Sequence, residues 1–495
     1  MNYADLFKQV VPETIVAVAA FVALLVDLAW MRGKPVANRM TMAAMLAGLG
    51  CAAAFAWMLE AQPGGTFCEG ILVVDPLTQL IKQVLLVLTV FTAVIAAEGD
   101  FTEHVGEFFA LLLFATVAMM FLVSSEDLLM IFISLEMTSL CLYVMTAFNK
   151  QNARSAEAAL KYFLFGGTAA AVMLFGLSLI YGVAHSTNLR EIAAALGGQR
   201  LEPVFYLALV MTVAGLGFKV AAVPFHLWAP DAYQGAPTPA AALIASGSKV
   251  ASFFVLGKLM LLAFAGAGGS GAWRAFAPGW MPLLATLAVL SMLLGNLAAI
   301  VQKSVRRLLA YSAIAHAGYA LTGLLAGGTE AMTSLLYYVI TYGLTVLGAF
   351  AVVGVVEGRA GKDEFADFAG LSRRAPVLSL CLLVFILSLA GIPPLAGFFG
   401  KFYVFTAAAR SDPKNLSLLW LVIFAIAMSA VSLYYYLLVL KQAYVAEAPA
   451  DAPVLRVSRA TQCGVVFLAV AVVVLGCAPG LLLEKLAVAI KLAGF

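Results

Sequence analysis

Residues 215–231 read GLGFKVAAVPFHLWAPD, which places a lysine and two prolines within an otherwise apolar run. A proline inside a helix removes one backbone hydrogen bond and clashes with the preceding turn, so Pro224 and Pro230 predict a helix that is broken near Lys219. At membrane depth, such a break persists only where protein or a water-filled cavity surrounds it. The stretch therefore predicts a functional site inside a membrane.

The composition of the whole chain agrees with a membrane location. Of its 495 residues, 63% are hydrophobic and 11% are charged, whereas soluble domains carry roughly 25% charged residues. This excludes a soluble globular enzyme, and the apolar fraction excludes a disordered chain. No basic run is interleaved with aromatic residues, so nucleic acid is not an expected partner. The apolar runs do not alternate as barrel strands do, which leaves an all-α polytopic membrane protein.

Fourteen apolar runs are long enough to cross a bilayer as helices, which takes about 20 residues each. Their approximate limits are residues 12–31, 38–59, 76–97, 106–123, 127–148, 158–184, 204–229, 238–264, 282–302, 305–327, 330–357, 376–409, 416–445 and 460–484. The loops after odd-numbered spans hold 15 lysines and arginines, and the other loops and the termini hold 8. By the positive-inside rule the first set is cytoplasmic, and both termini face away from the cytoplasm.

Six lysines lie within the predicted spans, where each charge costs about 2.5–3.5 kcal/mol on insertion scales. They are Lys82, Lys161, Lys219, Lys249, Lys258 and Lys401. The first two and Lys258 lie nearer the span ends, and we expect their side chains to extend to a membrane interface.

The other three lysines and one glutamate lie too deep for that. Glu136 is near the middle of the fifth span, Lys219 in the seventh, Lys249 in the eighth and Lys401 in the twelfth. Burial disfavours the charged form of a lysine and a nearby carboxylate favours it, so a Lys–Glu pair whose separation changes can load and release a proton. These four residues are the predicted proton relay.

The twelfth span repeats the broken pattern in the opposite direction. Residues 391–394 read GIPP, so Pro393 and Pro394 interrupt this span and Lys401 follows. The seventh and twelfth spans are five helices apart and cross the membrane in opposite directions, which is typical of an inverted repeat. The predicted segments are a three-helix segment over 1–105, five-helix repeats over 106–264 and 265–445, and a last helix within 446–495.

Two histidines are further candidates for the relay. His226 follows the break in the seventh span and His316 lies in the tenth, and both can carry protons near neutral pH. Each is also compatible with a core histidine whose hydrogen bonds are satisfied. We find no Walker motif, no clustered cysteines and no paired-histidine haem site, so no cofactor and no metal are expected in this chain.

At these residues the sequence resembles the antiporter-like membrane subunits of proton-pumping NADH-quinone oxidoreductase (complex I), which are related to Mrp-type cation/proton antiporter subunits. The likeness is most specific at residues 134–136, 218–231 with 238–239, 311–319 and 391–401. It implies fourteen helices with two inverted five-helix repeats. It also implies a row of protonatable residues along the membrane midplane, in which Glu136 pairs with Lys219, Lys249 connects and Lys401 comes last.

The resemblance implies a proton-translocating, non-redox subunit in the inner membrane of a bacterium. Flavin, iron–sulfur clusters and quinone are then expected in partner subunits of the same complex. Two features distinguish this chain from two other kinds of subunit in the family. One kind has a glutamate in the twelfth helix where this chain has Lys401, and the other carries a long C-terminal lateral helix, whereas this sequence ends at Phe495 soon after the last span. Two alternatives stay open: an Mrp-type cation/proton antiporter subunit, and a membrane subunit of a hydrogenase-type redox complex.

Overall fold

Apolar helices build almost all of the computed structural model, which describes residues 7–60, 64–197, 202–448, 455 and 457–495. The α-helices of this described part are α1 (Val11–Val26), α2 (Val36–Glu60), α3 (Pro76–Ala96), α4 (Val105–Val123), α5 (Leu128–Thr146), α6 (Ala153–Ala184), α7 (Leu189–Leu196), α8 (Pro203–Val220), α9 (Ala229–Gly235), α10 (Thr238–Ala245), α11 (Gly247–Lys258), α12 (Trp280–Ile300), α13 (Val305–Leu324), α14 (Gly328–Ala360), α15 (Leu371–Arg374), α16 (Pro376–Ala390), α17 (Ala396–Arg410), α18 (Leu419–Tyr444), α19 (Arg459–Cys477) and α20 (Gly480–Leu492).

Short elements complete the fold. The π-helical turns Asp27–Met31 and Leu259–Ala263 extend α1 and α11. Strand β1 (Gly65–Phe67) pairs antiparallel with β2 (Leu72–Val74) in the loop between α2 and α3. The 3₁₀ turns are Cys68–Gly70, Ala265–Ala267, Phe365–Phe368 and Pro413–Asn415.

The predicted all-α membrane class is confirmed. In the part of the chain that the structure describes, 12 helical segments are long and apolar enough to cross a membrane. The predicted tenth and twelfth spans are not among them. The tenth is α13, which begins with Arg306 and Arg307, and the twelfth is divided between α16 and α17, each of 15 residues. The number of fourteen spans is therefore not confirmed by helix length and composition.

Both predicted helix breaks are present. Helix α8 ends at Val220, because Ala221 adopts the left-handed conformation (φ 59°), and α9 begins only at Ala229, beyond Pro224. Helix α16 ends before Gly391, which is also left-handed (φ 86°), a conformation that costs glycine nothing. Its continuation α17 begins after the two prolines.

A third break has no counterpart in the sequence predictions. The predicted eighth span is divided at Ser246, whose backbone (φ −112°, ψ −84°) separates α10 from α11. This break lies three residues before Lys249, so each of the three deep lysines lies close to an interrupted helix.

Two segments form the interior of the helical bundle. One is α10 with α11 and the other is α14, and almost all of each is buried within the chain. Helix α14 has 33 residues and contacts α10 and α11 on one side and α16, α17 and α19 on the other. Because it reaches both predicted repeats, α14 brings their side chains into one continuous interior.

Candidate functional site

The deep glutamate and the lysine of the seventh span form a direct ion pair. Lys219, in the last turn of α8, donates a hydrogen bond from Nζ to Oε1 of Glu136 at 2.8 Å. It donates a second one to Oγ of Ser139, one turn further along α5, at 2.6 Å. The sequence reasoning did not include Ser139, whose spacing of three residues from Glu136 places both on one face of α5.

The two partners differ in their exposure. The side chain of Lys219 is 7% exposed, and that of Glu136 is 22% exposed. On the same helix Leu129, Ile133 and Leu140 point away from the rest of the chain. The ion pair therefore lies at the edge of the helical bundle, with its carboxylate turned towards the exposed face of α5.

The turn after Lys219 is held by hydrogen bonds to neighbouring helices. Val223 donates its backbone N–H to Oγ of Ser291 on α12 at 2.9 Å, and the indole of Trp228 donates to the carbonyl of Phe218 at 3.0 Å. The Phe218 carbonyl, at the end of α8, also accepts the backbone N–H of Ala221 at 3.1 Å, so the indole is its second donor. His226 is buried in this turn, and its Nδ1 has no hydrogen-bond partner among the described residues.

Lys249 lies in a different environment, because no described carboxylate forms an ion pair with it. Its Nζ donates to the carbonyl of Ala313 at 2.6 Å and lies 5.7 Å from the ring centre of Tyr342. Lys249 also lines a small cavity of about 10 Å³ together with His316 and Tyr338, which is close to the room that one water molecule needs.

His316 has hydrogen-bond partners at both ring nitrogens. Nδ1 lies 2.6 Å from the hydroxyl of Tyr338, and Nε2 lies 3.1 Å from the hydroxyl of Tyr436. The Tyr436 hydroxyl also bonds to Oγ of Ser312, one turn before His316. The histidine is thus buried and hydrogen-bonded, within a network of hydroxyl groups that can both donate and accept.

Lys401 occupies the carbonyl end of the broken twelfth span. Its Nζ donates to the carbonyls of Leu389 and Ala390 at 3.1 Å each, and to Oγ of Ser429 at 2.9 Å. The last carbonyls of α16 lack helical partners and attract cations. Gly391 leaves room for this side chain, since a Cβ atom there would lie 3.1 Å from Cδ of Lys401.

Aromatic rings connect the second lysine to the third. Lys249 lies over Tyr342, whose ring centre is 4.8 Å from that of His316. His316 in turn meets Tyr319 at 5.7 Å, and Lys401 lies 5.0 Å from the Tyr319 ring centre. The sequence reasoning did not include Tyr342, although 337–342 reads YYVITY, and it noted Tyr319 only within the stretch 311–319 without a role in the relay. Within the described residues, no hydrogen bond or ion pair joins the Glu136–Lys219 pair to this row.

The expectation that Lys82 and Lys258 extend to a membrane interface is wrong. Lys82 is buried in α3 and forms an ion pair with Glu13 of α1, with 2.6 Å between Nζ and Oε1. Lys258 is equally buried at the end of α11, where its Nζ lies 3.7 Å from Oε1 of Glu126 and donates to two backbone carbonyls. Both ammonium groups lie close to carboxylates distant in sequence, Glu13 in α1 and Glu126 in the connection between α4 and α5, so neither has to extend to water for a counter-charge.

Lys161 agrees better with the expectation. Its side chain is partly exposed, and its ammonium contacts Glu157 at 2.7 Å and Asp231 at 2.9 Å. As for metals, no group of three or more His, Cys, Asp or Glu side chains in the described ranges is placed to hold an ion.

The family model and the similar proteins point to the same family of membrane subunits. Residues 125–442 match the family model described as NADH:quinone oxidoreductase/Mrp antiporter, TM. NADH-quinone oxidoreductase subunit N 2 of Acidobacterium capsulatum is 51% identical, over 98% of this chain and 99% of the relative. Subunit N of Rhodospirillum rubrum is 38% identical, over 94% of this chain and 95% of the relative.

Solved structures share the architecture. A chain of respiratory complex I from Thermus thermophilus is 35% identical, with a TM-score of 0.79 over 97% of this chain and 100% of that chain. A chain of the archaeal membrane-bound sulfane sulfur reductase has a TM-score of 0.83 at 23% identity, over 98% of this chain and 97% of that one. A chain of the Mrp complex from Dietzia has a TM-score of 0.82 at 20% identity, over 99% of this chain and 98% of that chain. The last two likenesses show the fold alone.

Proposed function

The chain belongs to the NADH:quinone oxidoreductase/Mrp antiporter membrane family, among the relatives of subunit N, and from this premise we propose how it moves protons. The path runs through the Glu136–Lys219 pair and the row that ends at Lys401. Electron transfer from NADH to quinone takes place in other subunits, which carry the flavin, the iron–sulfur clusters and the quinone site. The chain's own part is the proton step.

The contiguous row from Lys249 to Lys401 carries this proposal. Two buried ammonium groups, with no described carboxylate paired to either, stand at its ends, and Tyr342, His316 and Tyr319 lie between them. Each ammonium is held by neutral carbonyl or hydroxyl oxygens. When the lysine loses a proton, no unpaired carboxylate is therefore left beside it. A structural role alone gives no reason to place two such charges where they cost most.

The Glu136–Lys219 pair acts as the control element. When a neighbouring subunit changes the electric field at the exposed side of Glu136, the attraction that keeps Lys219 charged weakens. Protons taken from the cytoplasm load the Lys219 and Lys249 region, pass along the row and leave on the opposite side from Lys401. The prolines that interrupt the seventh and twelfth spans keep polar backbone groups available at both ends of this path.

The partners are other subunits of the respiratory complex. A carboxylate that is 22% exposed at mid-membrane is costly against lipid, so we propose that a neighbouring subunit covers the α5 face around Leu129, Ile133 and Leu140. The complex lies in the bacterial inner membrane, with both termini of this chain on the non-cytoplasmic side. The division into segments 1–105, 106–264, 265–445 and 446–495 is part of the same proposal.

Replacement of Lys401 tests this function. In proteoliposomes that hold the whole complex, Lys401→Met is expected to lower proton translocation, while NADH oxidation with a water-soluble electron acceptor stays at the wild-type rate. Lys441→Met, at the exposed end of α18, is the matched control and should change neither. Normal translocation by the Lys401 variant, or loss of NADH oxidation with the soluble acceptor, would contradict the proposal.

A further inference from the structure

A cavity of about 1000 Å³ opens at one end of the helical bundle. Six of the seven loops that follow an odd-numbered span contribute to its wall, from Val36 after the first span to Ser458 after the thirteenth, and Arg306 near the start of the tenth span lies beside the remaining loop. All of these loops therefore lie at the same end of the chain. By the charge asymmetry of the loops this end faces the cytoplasm. We refer to this cavity as the vestibule.

The inner wall of the vestibule holds a carboxylate in a network of hydrogen bonds. Glu357, near the end of α14, accepts two bonds from Nη1 of Arg306 at 2.7 and 2.8 Å, and one from the Thr238 hydroxyl at 2.8 Å. The Arg306 side chain is 3% exposed, and that of Glu357 is 31% exposed. The buried guanidinium thus lies behind the carboxylate. The other charged residues of the wall are Glu98, Asp100 and Arg359.

Arg306 has partners besides this carboxylate. Its Nε donates to the carbonyl of Tyr233 at 2.9 Å, and its Nη2 donates to the carbonyl of Ala236. Both carbonyls belong to the connection between the seventh and eighth spans. Arg306 therefore stays in place when the charge of Glu357 changes, and the carboxylate is the member of the network that is open to water.

The two innermost helical segments run from the vestibule to Lys249. Thr238 begins α10, which continues across the break into α11 and Lys249. Glu357 lies on α14, 15 residues and about 22 Å beyond Tyr342, the ring that Lys249 faces. The segments touch at Gly354, where a Cβ would lie 2.8 Å from Cγ2 of Thr238, so the vestibule is closed on its inner side.

We propose that the vestibule is the water-filled intake through which protons reach Lys249, and that Glu357 takes up the proton at its inner wall. In this step a hydronium ion transfers its proton to a carboxylate oxygen of Glu357 and leaves as water. The carboxyl group is then neutral, and the next transfer towards Lys249 restores its charge. This inference rests on the proposed function and assigns it an intake site.

Plugging the vestibule tests the intake. Gly358 lines it, and a Cβ added there would meet no atom within 4 Å; the same holds for Gly33, which is in the loop after α1 and lies outside the vestibule. In a background where the exposed cysteines Cys68, Cys463 and Cys477 are serine, Gly358→Cys and Gly33→Cys are treated with a bulky maleimide on membrane vesicles whose cytoplasmic face is outward.

Modification at Gly358→Cys fills the vestibule and separates Glu357 from water. Because a positioned proton-transfer group contributes about 10²–10⁴-fold to a rate, NADH-driven proton uptake is expected to fall by about tenfold or more. Modification at Gly33→Cys should leave uptake unchanged. If the label at position 358 reacts only from the opposite face, or if it reacts from the cytoplasmic face and uptake stays normal, the vestibule is not the intake.

A second pair of variants tests the carboxylate and separates it from a structural role. Glu357→Gln keeps a side-chain oxygen that can accept hydrogen bonds from Arg306 and Thr238, but its amide cannot take up the transferred proton. It should therefore lower NADH-driven proton uptake as modification at Gly358→Cys does. Glu330→Gln, exposed in the first turn of the same helix, is the matched control. Normal uptake by Glu357→Gln would reduce this residue to a counter-ion and overturn its assignment.

These outcomes are distinguishable from failure of the proposed function. If Lys401→Met stops translocation while the plugged and Glu357 variants pump normally, only the intake assignment fails. If Lys401→Met also pumps normally, the proposed function fails with it.

Discussion

Removing the charge of Glu136 separates the stability of the buried ion pair from its role in pumping. Glu136→Gln keeps the shape of the side chain and an oxygen that can accept from Lys219, but it leaves the ammonium without a countercharge. Lys219→Met removes the other charge at similar length. The double variant replaces the whole pair with neutral groups, and the three together form a double-mutant cycle.

The structure sets the magnitude of the effect. Unit charges 2.8 Å apart attract each other by about 6 kcal/mol at an effective dielectric constant of about 20. The partial exposure of Glu136 weakens this, and removal of one partner from a buried pair typically costs about 3–5 kcal/mol. Replacement of both partners is often neutral. We therefore expect each single variant to lower the heat stability of the complex, and the double variant to recover most of it.

Pumping should follow a different pattern. If the changing separation of the two charges drives the proton step, the double variant is stable but does not pump. Stability is measured by heat inactivation of the solubilised complex, and pumping by NADH-driven proton uptake in proteoliposomes. Additive losses of stability in the double variant, or restored pumping with restored stability, would refute the reasoning.

The chain supplies its own control for this cycle. Glu13 and Lys82 form a second buried pair at 2.6 Å, on α1 and α3 and apart from the row. Glu13→Gln, Lys82→Met and their combination should show the same loss and recovery of stability. The stable double variant of this pair should pump at the wild-type rate.

Three further changes have defined outcomes. Ser139→Ala removes a hydrogen bond to a charged group, worth about 1.5–3 kcal/mol, and should slow proton uptake, whereas Ser134→Ala, buried on the same helix, should not. Gly391→Ala forces a left-handed alanine at a cost of about 1–2 kcal/mol and places Cβ 3.1 Å from Lys401, so heat stability and proton uptake should both fall. Lys258→Met leaves a buried carboxylate without one of its partners and should lower heat stability, with an unchanged number of protons per NADH in the complex that remains.

The features that the sequence predicted well are those that a membrane penalises. A proline within an apolar run, or a lysine far from either end of one, is conspicuous because the bilayer makes it costly. This is why the breaks at Pro224 and Pro393, and the deep positions of Lys219, Lys249 and Lys401, could be predicted from the linear pattern. The direct contact between Glu136 and Lys219 came from the family resemblance and not from the pattern alone.

Other features depend on contacts between distant helices, which the linear pattern does not contain. Glu13 and Lys82 are 69 residues apart, and only the packing of α1 against α3 through neighbouring helices makes them a pair. The break at Ser246 has no proline at the break itself, so it carries no signal of the kind that marked the other two. The tyrosines around His316 could not be separated from ordinary core tyrosines until the structure placed their hydroxyls on its ring nitrogens.

The central claim is tested most directly in proteoliposomes that hold the complex with Lys219→Ala. Two quantities are measured in the same sample: the rate of quinone-linked proton translocation and the number of protons translocated per NADH oxidised. We predict that the variant assembles and oxidises NADH with a soluble acceptor at the wild-type rate, while quinone-linked proton translocation falls sharply. A wild-type ratio of protons to NADH at a wild-type rate in this variant would contradict the claim that the buried lysine carries the pumping step.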